Sequence, residues 1–111
     1  MAFYNNPFDM YLLSFYSGAA AAFPVVIQVY QVGTLAGRIA FVPDGLPLPA
    51  NAVINPLGTD IPAVYFPLSR LESIVTTIRY EKPLSIFLDT ASGVGIIATT
   101  QAKLVGAQEG V

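Results

Sequence analysis

The chain contains no cysteine and no histidine. Without cysteine there is no disulfide, no thiolate metal site and no cysteine nucleophile. Without histidine the commonest general base, the commonest metal ligand and the Ser-His-Asp triad are all lost. Charge is scarce as well. Only 11% of residues are charged, less than half the ~25% of an ordinary soluble domain. The basic residues are Arg38, Arg70, Arg79, Lys82 and Lys103; they are scattered, and the net charge is −2. A nucleic-acid binder needs a clustered basic footprint to displace counterions from phosphates. Nucleic acid is therefore disfavoured as a partner, and so is attraction to an anionic membrane surface. The chain has no G-x-S-x-G, Walker A or H-E-x-x-H pattern. The lack of cysteine fits any compartment; the expectation adopted is cytoplasmic.

What is present is apolar. Hydrophobic residues make up 54% of the chain, and the 28 residues from Met10 to Gly37 carry no formal charge. The length of 111 residues fits a single domain, 1–111. A chain this small has too much surface for its volume to bury so much apolar area alone. We therefore expect a homo-oligomer, a dimer or larger, with room for a second protein partner. A spanning helix over residues 10–30 is the lesser alternative: the stretch is long enough, but Pro24 and Gln28 interrupt it and no basic residue flanks its start. An export signal would need a basic n-region, which is missing.

Along the chain, Asn6 suits a helix N-cap, Pro7 the first helical position and Asp9 the first turn. Phe8, Leu12, Phe15, Ala19 and Ala22 recur at helical spacing. The spacing predicts a helix over 7–22, against the aromatic, strand-forming character of Tyr11 to Tyr16. Val25 to Val32 and Arg38 to Val42 read as a hairpin with a five-residue loop, Gly33 to Gly37. Its first strand, apolar on both sides of Gln28 and Gln31, is expected to be covered on both faces. Pro43 to Pro62 reads as a proline-rich loop, and Ala63 to Phe66 as a short strand. Ser69 and Glu72 form a capping-box pair ahead of Leu71, Ile74, Val75 and Ile78, which predicts a helix over 69–80 stopped by Pro83. Leu84 to Asp89 and Val94 to Thr100 read as strands joined through 90–93, and 102–111 as a partly ordered tail. The expected class is α+β: two layers, with about five mainly antiparallel strands and one or two helices on one face. An uncharged edge of such a sheet invites pairing with another copy.

No catalytic, cofactor or metal site is expected. Asp44, Asp60 and Asp89 each sit at a turn, where aspartate ordinarily bonds nearby backbone N–H groups, and their separations match no calcium loop. Gly93-Val-Gly95 lacks the third glycine of a dinucleotide fingerprint. An enzyme would have to work through carboxylates with Tyr65 or Tyr80. Two surfaces stand out instead. Phe8, Tyr11, Phe15, Tyr16, Val26 and Tyr30 are the candidates for a self-association interface, where tyrosine and phenylalanine are enriched. Arg70, Glu72, Arg79, Glu81 and Lys82 gather five of the twelve charged residues and are the candidates for a partner-facing surface. The reading is a small non-enzymatic protein that acts by self-association and protein contact. Its alternatives are a carrier or sensor of an apolar small molecule and a membrane-associated accessory protein using 10–30.

Overall fold

The computed structural model describes residues 3–18 and 22–100. Among these residues, eight strands and one α-helix follow in the order β1 (Phe3–Phe8), β2 (Met10–Phe15), β3 (Val25–Gln31), β4 (Thr34–Val42), β5 (Ala52–Ile54), β6 (Ile61–Pro67), α1 (Leu71–Tyr80), β7 (Leu84–Asp89) and β8 (Val94–Thr99). They form a three-stranded sheet, β1-β7-β8, and a five-stranded sheet, β2-β3-β4-β6-β5. Every pairing is antiparallel except β4 with β6. The class is α+β, and the strands divide between two sheets rather than one.

The two sheets enclose a single core. Val25, Ile27 and Val29 on β3, Ile39 and Phe41 on β4 and Val64 on β6 meet Phe8 on β1 and Leu84 and Ile86 on β7. Alternation along β3 puts Val25, Ile27 and Val29 on the core face and leaves Val26, Gln28 and Tyr30 half-buried on the other. The sheets approach closely at two glycines. A Cβ on Gly37 would lie 2.9 Å from the Ile86 side chain, and one on Gly95 would overlap Val64. Each fully buried isoleucine there contributes about 1.5–3 kcal/mol of hydrophobic stabilisation. The stripe Leu71, Ile74, Val75 and Ile78 turns α1 onto the same core, as its spacing predicts.

Four expectations need correction. The predicted helix 7–22 is two strands as far as Phe15: β1 pairs with β7 and β2 pairs with β3. Its residues 19–21 lie outside the described ones. Helical spacing is a weak prior, and here the ladder to Val25–Tyr30 satisfies the backbone instead. Pro7 costs no helix start; it sits in an edge strand, where a missing N–H is tolerated. Next, the hairpin between β3 and β4 turns on two residues, not five. Val32 and Gly33 both have positive φ, 50° and 80°, as a type I′ turn requires. Gly37 belongs to β4, where it admits Ile86.

Third, the proline-rich stretch 43–62 is not all loop, because β5 forms inside it and pairs with β6, which already begins at Ile61. Finally, the capping box does not form. Leu68–Arg70 is a 3₁₀ turn, neither it nor α1 has a side-chain cap, and the Ser69 N–H donates to Asp44 Oδ1 at 3.0 Å. The helix itself stands where it was predicted, as do β7 and β8. The tail 102–111 lies outside the described residues.

A β-branched residue at positive φ is strained by about 1–2 kcal/mol, whereas asparagine visits that region readily. Val32 is also 79% exposed, so no core contact offsets the strain. Val32→Asn is expected to raise stability by about 1 kcal/mol, seen as a Tm about 4–8 °C higher. An unchanged or lower Tm would remove the strain argument.

Candidate functional site

Of the three candidate aspartates, Asp89 alone bonds a nearby backbone N–H as a turn aspartate does. Asp44 accepts the Ser69 N–H, Asp60 Oδ1 accepts from Asn55 Nδ2 at 2.9 Å, and Asp89 Oδ1 accepts from the Ala91 N–H at 3.0 Å. Among the described residues no group of three or more Asp or Glu is placed to hold a metal ion. No helix among them is long and apolar enough to cross a membrane; residues 10–15 and 25–31 are strands.

The distinctive surface is β2. Among the described residues it is an edge strand of the five-stranded sheet, with β3 on one side only. Its sequence, MYLLSF, has no charge and no proline. Met10 is 58% exposed, Leu12 52%, Phe15 69% and the following Tyr16 54%. Natural edges are ordinarily shielded by lysine, proline, a bulge or shortness. The edge strand β1 carries Pro7, and β5 has only three residues. The edge strand β8, VGIIAT, is also uncharged, but the chain beyond Thr100 lies outside the described residues.

The phase of the β2 ladder fixes which backbone groups are open. In an antiparallel pair, opposed residues alternate between hydrogen-bonded and non-bonded. Tyr16 N–H donates to the Pro24 carbonyl at 2.8 Å, in step with Ser14 opposite Val26 and Leu12 opposite Gln28. The even-numbered residues therefore turn their N–H and C=O groups to β3. Tyr11, Leu13 and Phe15 turn theirs to the open edge. At the other end Asp9 N–H donates to the Tyr30 carbonyl at 2.9 Å, where the chain bends out of β1.

Helix α1 lies beside this strand and runs antiparallel to it. A groove of about 430 Å³ is lined by Leu13 and Phe15 together with Leu68, Leu71, Glu72 and Val75. A second, of about 480 Å³, is lined by Met10 and Tyr11 together with Ile78, Arg79, Tyr80, Glu81 and Lys82. Arg79 stacks over the Tyr80 ring at 5.2 Å from its centroid. An apolar strand paired on one side thus borders a helix that carries charge of both signs.

This places the sequence candidates. Tyr11, Phe15 and Tyr16 are on the exposed edge strand. Val26 and Tyr30 are half-buried on the outer face of β3, where the Tyr30 hydroxyl donates to Gln28 Oε1 at 3.0 Å. Phe8, only 6% exposed, belongs to the core and reaches the groove at the Met10 end of β2 from inside. Arg70, Glu72, Arg79 and Lys82 are exposed and Glu81 is half-buried, along α1 and its flanks. Members of the two sets meet at the grooves: Tyr11 and Phe15 from the first, and Glu72, Arg79, Glu81 and Lys82 from the second. Sequence reasoning missed Met10, Leu12 and Leu13. Their signal was available as an uncharged six-residue strand without proline, and it was masked by the helix assignment. Comparison with known families, with curated proteins and with solved structures finds no match.

Proposed function

We propose that this is a non-enzymatic protein that works by self-association and protein contact through strand addition at β2. The observation that carries the reading is the open, uncharged edge formed by Tyr11, Leu13 and Phe15, with Met10, Leu12 and Tyr16 exposed around it. An added strand would satisfy the outward N–H and C=O groups, and the side chains flanking them would supply apolar burial. The groove between β2 and α1 gives such a strand side-chain sockets. The composition supports the same reading, because a chain with 54% hydrophobic residues leaves apolar surface that a partner would cover.

The test is the solution mass of the whole chain by light scattering across a dilution series, without detergent. A fixed multiple of 11.8 kDa that dissociates on dilution is expected. A monomer throughout, at high concentration, would sink the reading.

A further inference from the structure

Resting on the reading just given, we infer that the strand added at β2 is β2 of a second copy, paired antiparallel about a twofold axis at Leu13, with α1 of each copy facing the other. Two independent features of the chain lead to the same axis.

The first is the ladder phase. Only Tyr11, Leu13 and Phe15 offer backbone groups to the open edge. A twofold at Leu13 pairs Tyr11 with Phe15 of the second copy, Leu13 with its own equivalent, and Phe15 with Tyr11. All three residues are then used, each with one N–H and one C=O, giving about six hydrogen bonds. An axis at Leu12 or at Ser14 leaves one of the three unpaired. The Leu13 axis also sets Tyr11 against a phenylalanine on both sides of the dyad, and aromatic pairs are favourable across strands. No like charges are opposed.

The second is the charge order along α1. Glu72 and Arg79, seven residues and so about two turns apart, lie on one side of the helix and read minus, then plus, so the order reversed is plus, then minus. The pair is complementary to itself when two copies run antiparallel, Glu72 of each copy opposite Arg79 of the other. Glu72 lines the groove at the Phe15 end of β2, and Arg79 lines the groove at the Tyr11 end. The strand pairing brings the Phe15 end of one copy to the Tyr11 end of the other, so it sets Glu72 of one copy on the same side of the axis as Arg79 of the other. An isologous dimer needs this kind of self-complementarity, and an unrelated strand does not. Oppositely charged groups across such an interface fix its register, and like charges there oppose it.

The experiment uses the full-length chain in three forms: E72R, R79E and an equimolar mixture of the two. Each single substitution opposes like charges twice across the twofold and is expected to weaken self-association about 10- to 100-fold. In the mixture one chain carries positive charge at both positions and the other negative. Native mass spectrometry is expected to show the heterodimer forming with the affinity of the wild-type dimer, in large excess over either homodimer. The double variant E72R/R79E, complementary again, is expected to dimerise like wild type. Each substitution also opposes the helix dipole, but a weakened helix is not repaired by mixing, so recovery reports pairing. A wild-type dimer that is indifferent to both swaps would overturn the Leu13 register and leave self-association standing. A wild-type chain that is monomeric throughout would overturn the function proposed above.

Discussion

Replacing Leu12 and Ser14 together by lysine is expected to convert the protein to a monomer without unfolding it. Both side chains lie on the outer face of β2, opposite Gln28 and Val26, and Leu12 is 52% exposed. Their backbone groups face β3, so the internal ladder is untouched. Lysine is the residue with which natural sheets protect edges: its charge is solvated on a free strand and must be desolvated when another strand is added. In the twofold arrangement the two positions oppose each other, so the substitutions place four lysines in two like-charged pairs at the centre of the interface. Self-association should fall by at least about a hundredfold, which is about 2.7 kcal/mol. The Tm at low concentration should stay within a few degrees of the dissociated wild type. An assembly unaffected by these lysines would place the contact elsewhere, β8 being the next edge to test.

The second large effect concerns the fold. Gly95→Ala is expected to destabilise the protein by about 2 kcal/mol. A glycine within a strand ordinarily gains about 0.5–1 kcal/mol on replacement by alanine, so the sign itself is diagnostic. It is reversed here because the added Cβ would overlap Val64, with Asn51 Nδ2 only 3.1 Å away. Asn51 has no slack to offer: its Oδ1 accepts the Tyr65 N–H at 2.9 Å, and its Nδ2 donates to the Gly93 carbonyl at 3.0 Å, tying the β7–β8 turn to β6. In a Val64→Ala background the same glycine substitution should cost under about 1 kcal/mol, a coupling measurable by a double-mutant cycle in denaturant. A stabilising Gly95→Ala would mean that the two sheets do not pack at this point.

How much of this was legible in the sequence depends on where each residue sits. Helix α1 was legible because Leu71, Ile74, Val75 and Ile78 face the core while Glu72, Ser73, Thr76 and Arg79 are exposed. β7 and β8 were legible from their β-branched runs and the turn between them. The N-terminal segment was not, and the cause is the site itself. A strand at an open edge, apolar on both faces, shows no alternation, so the chance spacing of Phe8, Leu12 and Phe15 dominated. The tight turn after β3 was hidden because valine is a poor indicator of positive φ. Gly37 was taken for a turn glycine when its role is to admit Ile86. The members of the candidate site were visible separately, as an aromatic set and a charged set. Their juxtaposition depends on α1 lying antiparallel to β2, which no local pattern encodes.

The most direct measurement of the β2 edge is amide hydrogen exchange, residue by residue, at concentrations above and below the dissociation midpoint. In the separated chain the N–H groups of Leu12, Ser14 and Tyr16 should be protected by β3, and those of Tyr11, Leu13 and Phe15 should exchange freely. On assembly these three should become protected together. If the protein assembles while Tyr11, Leu13 and Phe15 still exchange freely, β2 is not the edge that pairs.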